Sequence, residues 1–284
     1  MHNIEYVEFY ITNVCNLSCN GCNRFNNYKF KGFQRWADYQ EEYTRWSKEL
    51  QFGSIGILGG EPLLNADFML WLRGIRQLWP NTFIKVVTNG YYLNKVAGLY
   101  DNINSDRNTE LWVGIHNKLH KKTILNNIEQ FLVGPVSYEF NCTNPYQEYM
   151  WITDANGVRV KVEYNWWFHQ GAIVPTETGK TLHNSDVQQA HTICHSKTCH
   201  HFMNGKLHKC GAVALFPEFD KQHNLELSVD DRILINNYTP LSVSDSSATK
   251  NDFINNLKNP IPQCKFCPQV YKGDQIFAIE KKLL

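Results

Sequence analysis

Residues 5–22 read EYVEFYITNVCNLSCNGC. The first eight, Glu5 to Thr12, are rich in aromatic and β-branched side chains and predict a strand. A polar loop with three cysteines follows directly. Cys15, Cys19 and Cys22 stand there at C-x3-C-x2-C spacing. Downstream, Trp36, Tyr39, Tyr43, Trp46 and Leu50 recur at helical spacing. Phe52 to Leu58 predicts a second strand that ends at Gly59-Gly60-Glu61-Pro62. Phe68 to Trp79 is helical, and Phe83 to Thr88 is a third strand closed by Asn89-Gly90. A less defined helix leads to a fourth strand, Leu111–His116, and then to a helix over Ile124–Leu132. Strand–loop–helix units recurring about every 30 residues imply right-handed βαβ crossovers and a parallel sheet, as in a full or partial (β/α) barrel.

From Val136 to Trp167 the pattern weakens. Val158 to Tyr164 alternates as a strand should, after an Asn156-Gly157 turn. Beyond about residue 175 polar, histidine-rich sequence replaces the βα rhythm. There His200–Phe202 and Lys206–His208 predict a short hairpin turning at Asn204-Gly205, and Thr249–Leu257 predicts a helix. The expected division is an α/β barrel over residues 1–178 and a small cysteine-bound domain over residues 179–284.

The chain has 284 residues, 43% of them hydrophobic, enough for a sizeable core. Its net charge is +1 and its basic residues are scattered, which argues against nucleic acid and anionic membranes as partners. The N-terminus lacks a basic segment followed by an apolar one, and no apolar run approaches the roughly 18 residues that span a bilayer. A soluble, cytoplasmic protein is expected. In a reducing compartment nine cysteines imply metal or catalysis rather than disulfides. Their uneven distribution suggests two metal centres: three lie in the first loop, Cys142 stands alone, and Cys194, Cys199, Cys210, Cys264 and Cys267 follow residue 190.

Soft thiolates suit zinc or an iron–sulfur cluster. Three cysteines in one loop, with no fourth nearby, leave one iron of a [4Fe-4S] cluster open, and an open position is a catalytic feature. The alternative is a zinc site that borrows a histidine or a distant cysteine, in an interaction protein without catalysis. The triplet after the first strand resembles the signature of the radical S-adenosylmethionine (SAM) superfamily, whose fold is a partial (β/α)6 barrel. The resemblance implies a cluster on Cys15, Cys19 and Cys22 whose open iron chelates SAM. It further implies reductive cleavage to a 5′-deoxyadenosyl radical, with an electron from a donor such as flavodoxin or ferredoxin. Gly59, Gly60, Glu61 and Pro62 resemble the family's GGEP motif, which binds the SAM amino group. Thr88-Asn89-Gly90 is similar to its TNG, near the SAM ribose or carboxylate. One departure is Gly21, where the family usually has an aromatic residue; the adenine contact is then expected from Phe25 or Tyr28.

The later cysteines resemble the "twitch" domain, a shortened SPASM domain with one auxiliary [4Fe-4S] cluster. The resemblance gives Cys194, Cys210, Cys264 and Cys267 as ligands, with Cys199 an alternative to Cys194. A structural zinc is the competing reading. At later strand ends, His116, Glu163, Tyr164 and Asn165 are candidates for contact with SAM or substrate. Cys142 reads as a small buried hydrophobe, although it or Tyr164 could return a hydrogen atom to a substrate radical. His191, His195, His200, His201 and His208 read as core or solvated histidines, and Trp166-Trp167-Phe168 as packing. Because the first cluster cysteine is residue 15, no leader-binding domain is expected. That favours a small-molecule substrate, undergoing oxidation, epimerisation or isomerisation, over a ribosomal peptide.

Overall fold

The structure, a computed structural model, describes residues 1–19, 21–144, 147–164 and 172–270. Strand β1 (His2–Tyr10) opens the chain and leads through the cysteine loop to helix α1 (Trp36–Trp46). Then come β2 (Leu50–Leu58), α2 (Phe68–Leu78), β3 (Phe83–Thr88), α3 (Leu99–Ser105), β4 (Thr109–Ile115) and α4 (Lys121–Phe131). The indistinct region resolves into three strands, β5 (Ser137–Asn144), β6 (Gln147–Thr153) and β7 (Arg159–Tyr164). A small ribbon, β8 (Ile173–Pro175) with β9 (Lys180–Leu182), precedes α5 (Val187–Thr192). The expected hairpin forms as β10 (His200–Met203) and β11 (Lys206–His208), turning on Asn204 and Gly205, both at positive φ. Three helices close the described chain: α6 (Gly211–His223), α7 (Val229–Asn236) and α8 (Ser247–Asn255).

Nine strands form one sheet in the order β11-β10-β1-β2-β3-β4-β7-β6-β5. From β10 to β7 every neighbour is parallel, and the antiparallel pairings lie at the two sides. This is the mostly parallel α/β sheet that the βα rhythm predicts. Residues beyond 178 supply its β10–β11 side, where His200 pairs with Val7. Phe202, Leu207, Leu241 and Leu257 share one apolar core with the first four strands.

Alternate residues divide the sheet between two environments. Val7 and Phe9, Ile55 and Ile57, Ile84 and Val86, Leu111 and Val113, and Val160 and Val162 all lie on the first face. They pack against Tyr43 and Trp46 of α1, Trp71 and Ile75 of α2, and Ile124 and Ile128 of α4. Each such side chain contributes roughly 1.5–3 kcal/mol on burial, so this face anchors the fold. The second face carries charged and aromatic side chains. Towards the C-terminal strand ends it is covered by a second apolar cluster, in which Phe25 and Phe30 of the cysteine loop meet Phe216 and Phe219 of α6.

Cys142 departs from the sequence reading. It is exposed, because β5 is the outermost strand and its neighbours Tyr138 and Phe140 are exposed as well. The histidines His191, His200, His201 and His208 are buried core residues. Asn165 and Trp166–Phe168 lie outside the described residues, as do the side chains of Tyr164 and His195. Among the described residues no helix is long and apolar enough to cross a membrane.

Candidate active site

The three motifs of the first half meet at the C-terminal ends of β1, β2 and β3. Beyond β1 the chain stays laced to β2. The amide of Ile11 donates to Leu58 O, that of Gly60 to Thr12 O (2.7 Å), and that of Glu61 to Val14 O (2.8 Å). A Cβ at Gly59 or Gly60 would lie under 3 Å from Thr12 or Val14 main-chain atoms. The two glycines therefore let the second strand end lie flat against the cysteine loop.

Glu61 is fully buried and staples the loops together. Its carboxylate accepts from the Thr88 hydroxyl (2.7 Å) and from the amides of Asn89 (2.7 Å) and Leu63 (3.1 Å). Burial raises its pKa to about 7, although those donors pull it down. From the third strand end, the side-chain Nδ2 of Asn89 donates to Asn16 Oδ1 at 2.8 Å and approaches Cys15 Sγ at 3.9 Å. Gly90 takes a positive φ of 80° in the same turn, with its amide on the Thr88 hydroxyl. Cys15, Glu61, Thr88 and Asn89 thus form one connected set. His116 follows β4 on the same edge of the sheet.

Inside the loop, the Leu17 amide donates to Cys15 Sγ at 3.4 Å and the Cys22 amide to Cys19 O at 3.3 Å. The Cys22 thiol faces Asn26 Oδ1 at 3.7 Å, and the Asn26 amide donates to Asn13 O. Gly21 has a φ of 73°, left-handed backbone that a residue with a side chain enters only under strain. The aromatic residue usual at this position would be strained here. Of the two proposed substitutes, Phe25 is buried and stacks on Phe216, so it serves packing. Tyr28 is half-buried at the edge of Phe219.

Two of the three half-buried thiols, Cys15 and Cys19, do not ionise easily by themselves. Burial, with repulsion from Glu61 and Cys22, pushes Cys15 up to about 11; burial and the other two cysteines push Cys19 to about 12. A bound cationic centre removes that penalty, and an amide on sulfur is a usual feature of cluster ligation. The donor set fits an iron–sulfur cluster.

The second cysteine group comes from three places: Cys194 after α5, Cys210 at the start of α6, and Cys264 and Cys267 in one turn. Burial and mutual repulsion raise Cys210, Cys264 and Cys267, each of which feels Cys194. Cys199 also feels Cys210 but has other neighbours. Its thiol lies against Glu8 and Arg24 on the second face of the sheet. Lys209, buried next to Cys210, faces Cys194, Cys210 and Cys264 and donates to Leu257 O.

Among the described residues, one set of three groups is close enough to share a single ion: Glu8, Cys199 and His201, within 4.8 Å of one another. Arg24 already sits on Glu8 at 2.5 Å, which disfavours a second cation. Neither cysteine group contains three sulfurs at that spacing. Thiolates around one zinc, at about 2.3 Å from the ion, would be within about 4 Å of one another.

Motif reading missed Asn16, Asn26 and the Arg24–Glu8–His201 network. A signal for the network was present, since Glu8 stands between the apolar Val7 and Phe9 in a parallel strand.

Residues 9–111 match the family model of the radical SAM superfamily. GTP 3′,8-cyclase of Nautilia profundicola is 28% identical over 96 residues, which is 33% of this chain and 30% of that protein. GTP 3′,8-cyclase of Listeria welshimeri is 30% identical over 95 residues, 33% of this chain and 28% of that protein. For the probable GTP 3′,8-cyclase of Methanococcus aeolicus the match is 29% over 133 residues, 45% and 44% of the two chains. This chain therefore spans less than half the length of these curated relatives. A crystal structure of Streptococcus suis SuiB bound to S-adenosylmethionine overlaps 42% of this chain and 27% of that one, with 16% identity and a TM-score of 0.33.

Proposed function

We propose that this protein is a radical SAM enzyme. In this reading Cys15, Cys19 and Cys22 hold a [4Fe-4S] cluster, and Gly59, Gly60, Glu61, Pro62, Thr88, Asn89 and His116 form the SAM-binding rim. When bound, cluster and SAM together supply a 5′-deoxyadenosyl radical that removes hydrogen from a C–H bond. The chain's own residues hold the geometry. Glu61 keeps Thr88 and Asn89 in place, and Asn89 orients the loop at Cys15. The observation that carries the reading is this joining of the cysteine triplet, Glu61 and Asn89 at one end of the sheet, inside the segment that matches the superfamily.

The residues after 178 contribute, in the same reading, an auxiliary [4Fe-4S] cluster on Cys194, Cys210, Cys264 and Cys267 in a twitch-like arrangement. The reaction is an oxidation, an epimerisation or an isomerisation. A small molecule is the favoured substrate, because the matched relatives are named for a cyclisation of GTP. Anaerobic reconstitution with iron and sulfide, then dithionite and SAM, tests the assignment. The expected product is 5′-deoxyadenosine, lost in Cys19→Ala. A colourless protein carrying zinc, or deoxyadenosine formation undiminished by Cys19→Ala, would overturn it.

A further inference from the structure

The second face of the sheet is unusual for parallel strands, which ordinarily read as aliphatic runs. Here Tyr6 and Glu8 on β1, Lys85 on β3, Glu110 and Trp112 on β4, and Lys161 and Glu163 on β7 alternate with the buried aliphatics. Register joins them into a band. Glu8 pairs with Gly56, Gly56 with Lys85, Lys85 with Glu110, and Trp112 with Lys161. Gly56 makes room in the band, since a Cβ there would strike the Tyr6 hydroxyl.

Matching the charges leaves one over. Glu8 holds Arg24 at 2.5 Å, Glu163 holds Lys161 at 2.5 Å, and Glu110 holds Arg159 at 3.3 Å. Among the described residues no carboxylate lies within 4.0 Å of the Lys85 ammonium. It is half-buried and lies 4.5 Å from the centroid of Trp112 and 5.0 Å from that of Tyr6. Lys161 sits over the same indole at 3.9 Å. Burial, reinforced by Lys161 and opposed by the more distant carboxylates of Glu163 and Glu110, lowers the pKa of Lys85. A partly desolvated cation beside a like charge, walled by two rings, favours an incoming anion.

We propose that Lys85, with Trp112 and Tyr6 beside it, binds a carboxylate or phosphate group of the substrate. The proposal rests on the radical SAM reading for there being a substrate at all, and it narrows that substrate to an anion. Lys85 precedes Thr88 by three residues, about 10 Å along β3. An anchored molecule would therefore extend towards the end of the sheet where Cys15, Glu61 and Asn89 meet.

The site can be tested without either cluster. Acetylation of Lys85 by an N-hydroxysuccinimide ester is followed by peptide mass mapping in chloride, acetate or phosphate at equal ionic strength. An anion at about twice its dissociation constant should slow Lys85 labelling about threefold by mass action, with the exposed Lys122 on α4 as internal control. Protection by phosphate alone points to a phosphorylated substrate, protection by acetate alone to a carboxylate, and protection by both to a general anion seat. Equal labelling in all three salts up to the solubility of each would overturn the proposal. As a second measurement, the change in tryptophan fluorescence on adding the protecting anion should vanish in Lys85→Met and persist in Lys85→Arg; its survival in Lys85→Met would also overturn it. Cys19→Ala should keep the protection, so failure of the radical reading and failure of this site are scored separately.

Discussion

The two cysteine groups are assembled by opposite means. The first occupies a single loop of eight residues, tied by main-chain hydrogen bonds to the neighbouring strand end at Thr12 and Val14. The second is gathered from residue 194 to residue 267, and its segments dock through apolar contacts such as Phe266 on Phe216. A loop built from local spacing forms with the strand that carries it, and it can leave a coordination position open. A group collected from distant segments exists only when the whole fold does, and a metal bound there returns its binding energy as folding energy.

The largest expected effect comes from dismantling the two groups in turn. Cys264→Ala should lower reconstituted iron from about eight to about four per chain, while deoxyadenosine formation persists and product formation stops. It should also lower the thermal midpoint, because the second group ties segments together. The comparison would break if Cys264→Ala left iron content and midpoint unchanged.

A finer cut separates Cys194 from Cys199. Cys194 is the neighbour that Cys210, Cys264 and Cys267 share, whereas Cys199 faces Glu8 and Arg24. Cys194→Ser should therefore cost the auxiliary iron and Cys199→Ser should retain it, as read by metal analysis and the visible spectrum. The reverse result would exchange the two ligands.

The first group was legible because its information is local. Cys15, Cys19 and Cys22, Gly59-Gly60-Glu61 and Thr88-Asn89 lie at predicted strand ends, and parallel strands bring their C-terminal ends to one edge. The βα rhythm likewise gave the parallel sheet from β1 to β4. What the sequence hid is tertiary. The β10 pairing with β1 joins residues nearly two hundred positions apart, which no short-range periodicity encodes. Helix α6 was missed because Pro217 and apolar residues on several sides blur its period. Glu61, read from its motif as an acceptor for an ammonium, also accepts from three protein donors, the Thr88 hydroxyl and the main-chain amides of Asn89 and Leu63, which no local pattern encodes.

Glu61 also predicts a graded loss. Removing its side chain in Glu61→Ala leaves the Thr88 hydroxyl and the main-chain amides of Asn89 and Leu63 without their acceptor. At about 1–3 kcal/mol for each unsatisfied group, the expected destabilisation is on the order of 3 kcal/mol, read from urea unfolding. A loss below about 1 kcal/mol would mean that water replaces the carboxylate.

The last effect is in pH, where Glu61 and a remote carboxylate should act in opposite directions. Asp154, at the turn between β6 and β7, accepts from the Tyr100 hydroxyl (2.6 Å) and from the amides of Val133, Asn156 and Val158. Burial raises its pKa, but these donors outweigh burial and hold it below the ordinary value. Its contribution to stability is therefore present above about pH 3.9 and is lost as pH falls through the lowered folded value. For Glu61 burial wins, and the folded pKa stands at about 7. Its contribution is complete below about pH 4.3 and is lost as pH rises through 7, because ionising it inside the cysteine-loop junction is unfavourable. The difference in urea midpoint between wild type and Glu61→Gln should thus change between pH 4 and 8, by at most about 1.4 kcal/mol per pH unit, while that for Asp154→Asn should change only below pH 4. A Glu61→Gln difference that stays flat across neutral pH would show its carboxylate to be solvated. The candidate site would then lack the desolvated junction that separates it from the ordinary turn at Asp154.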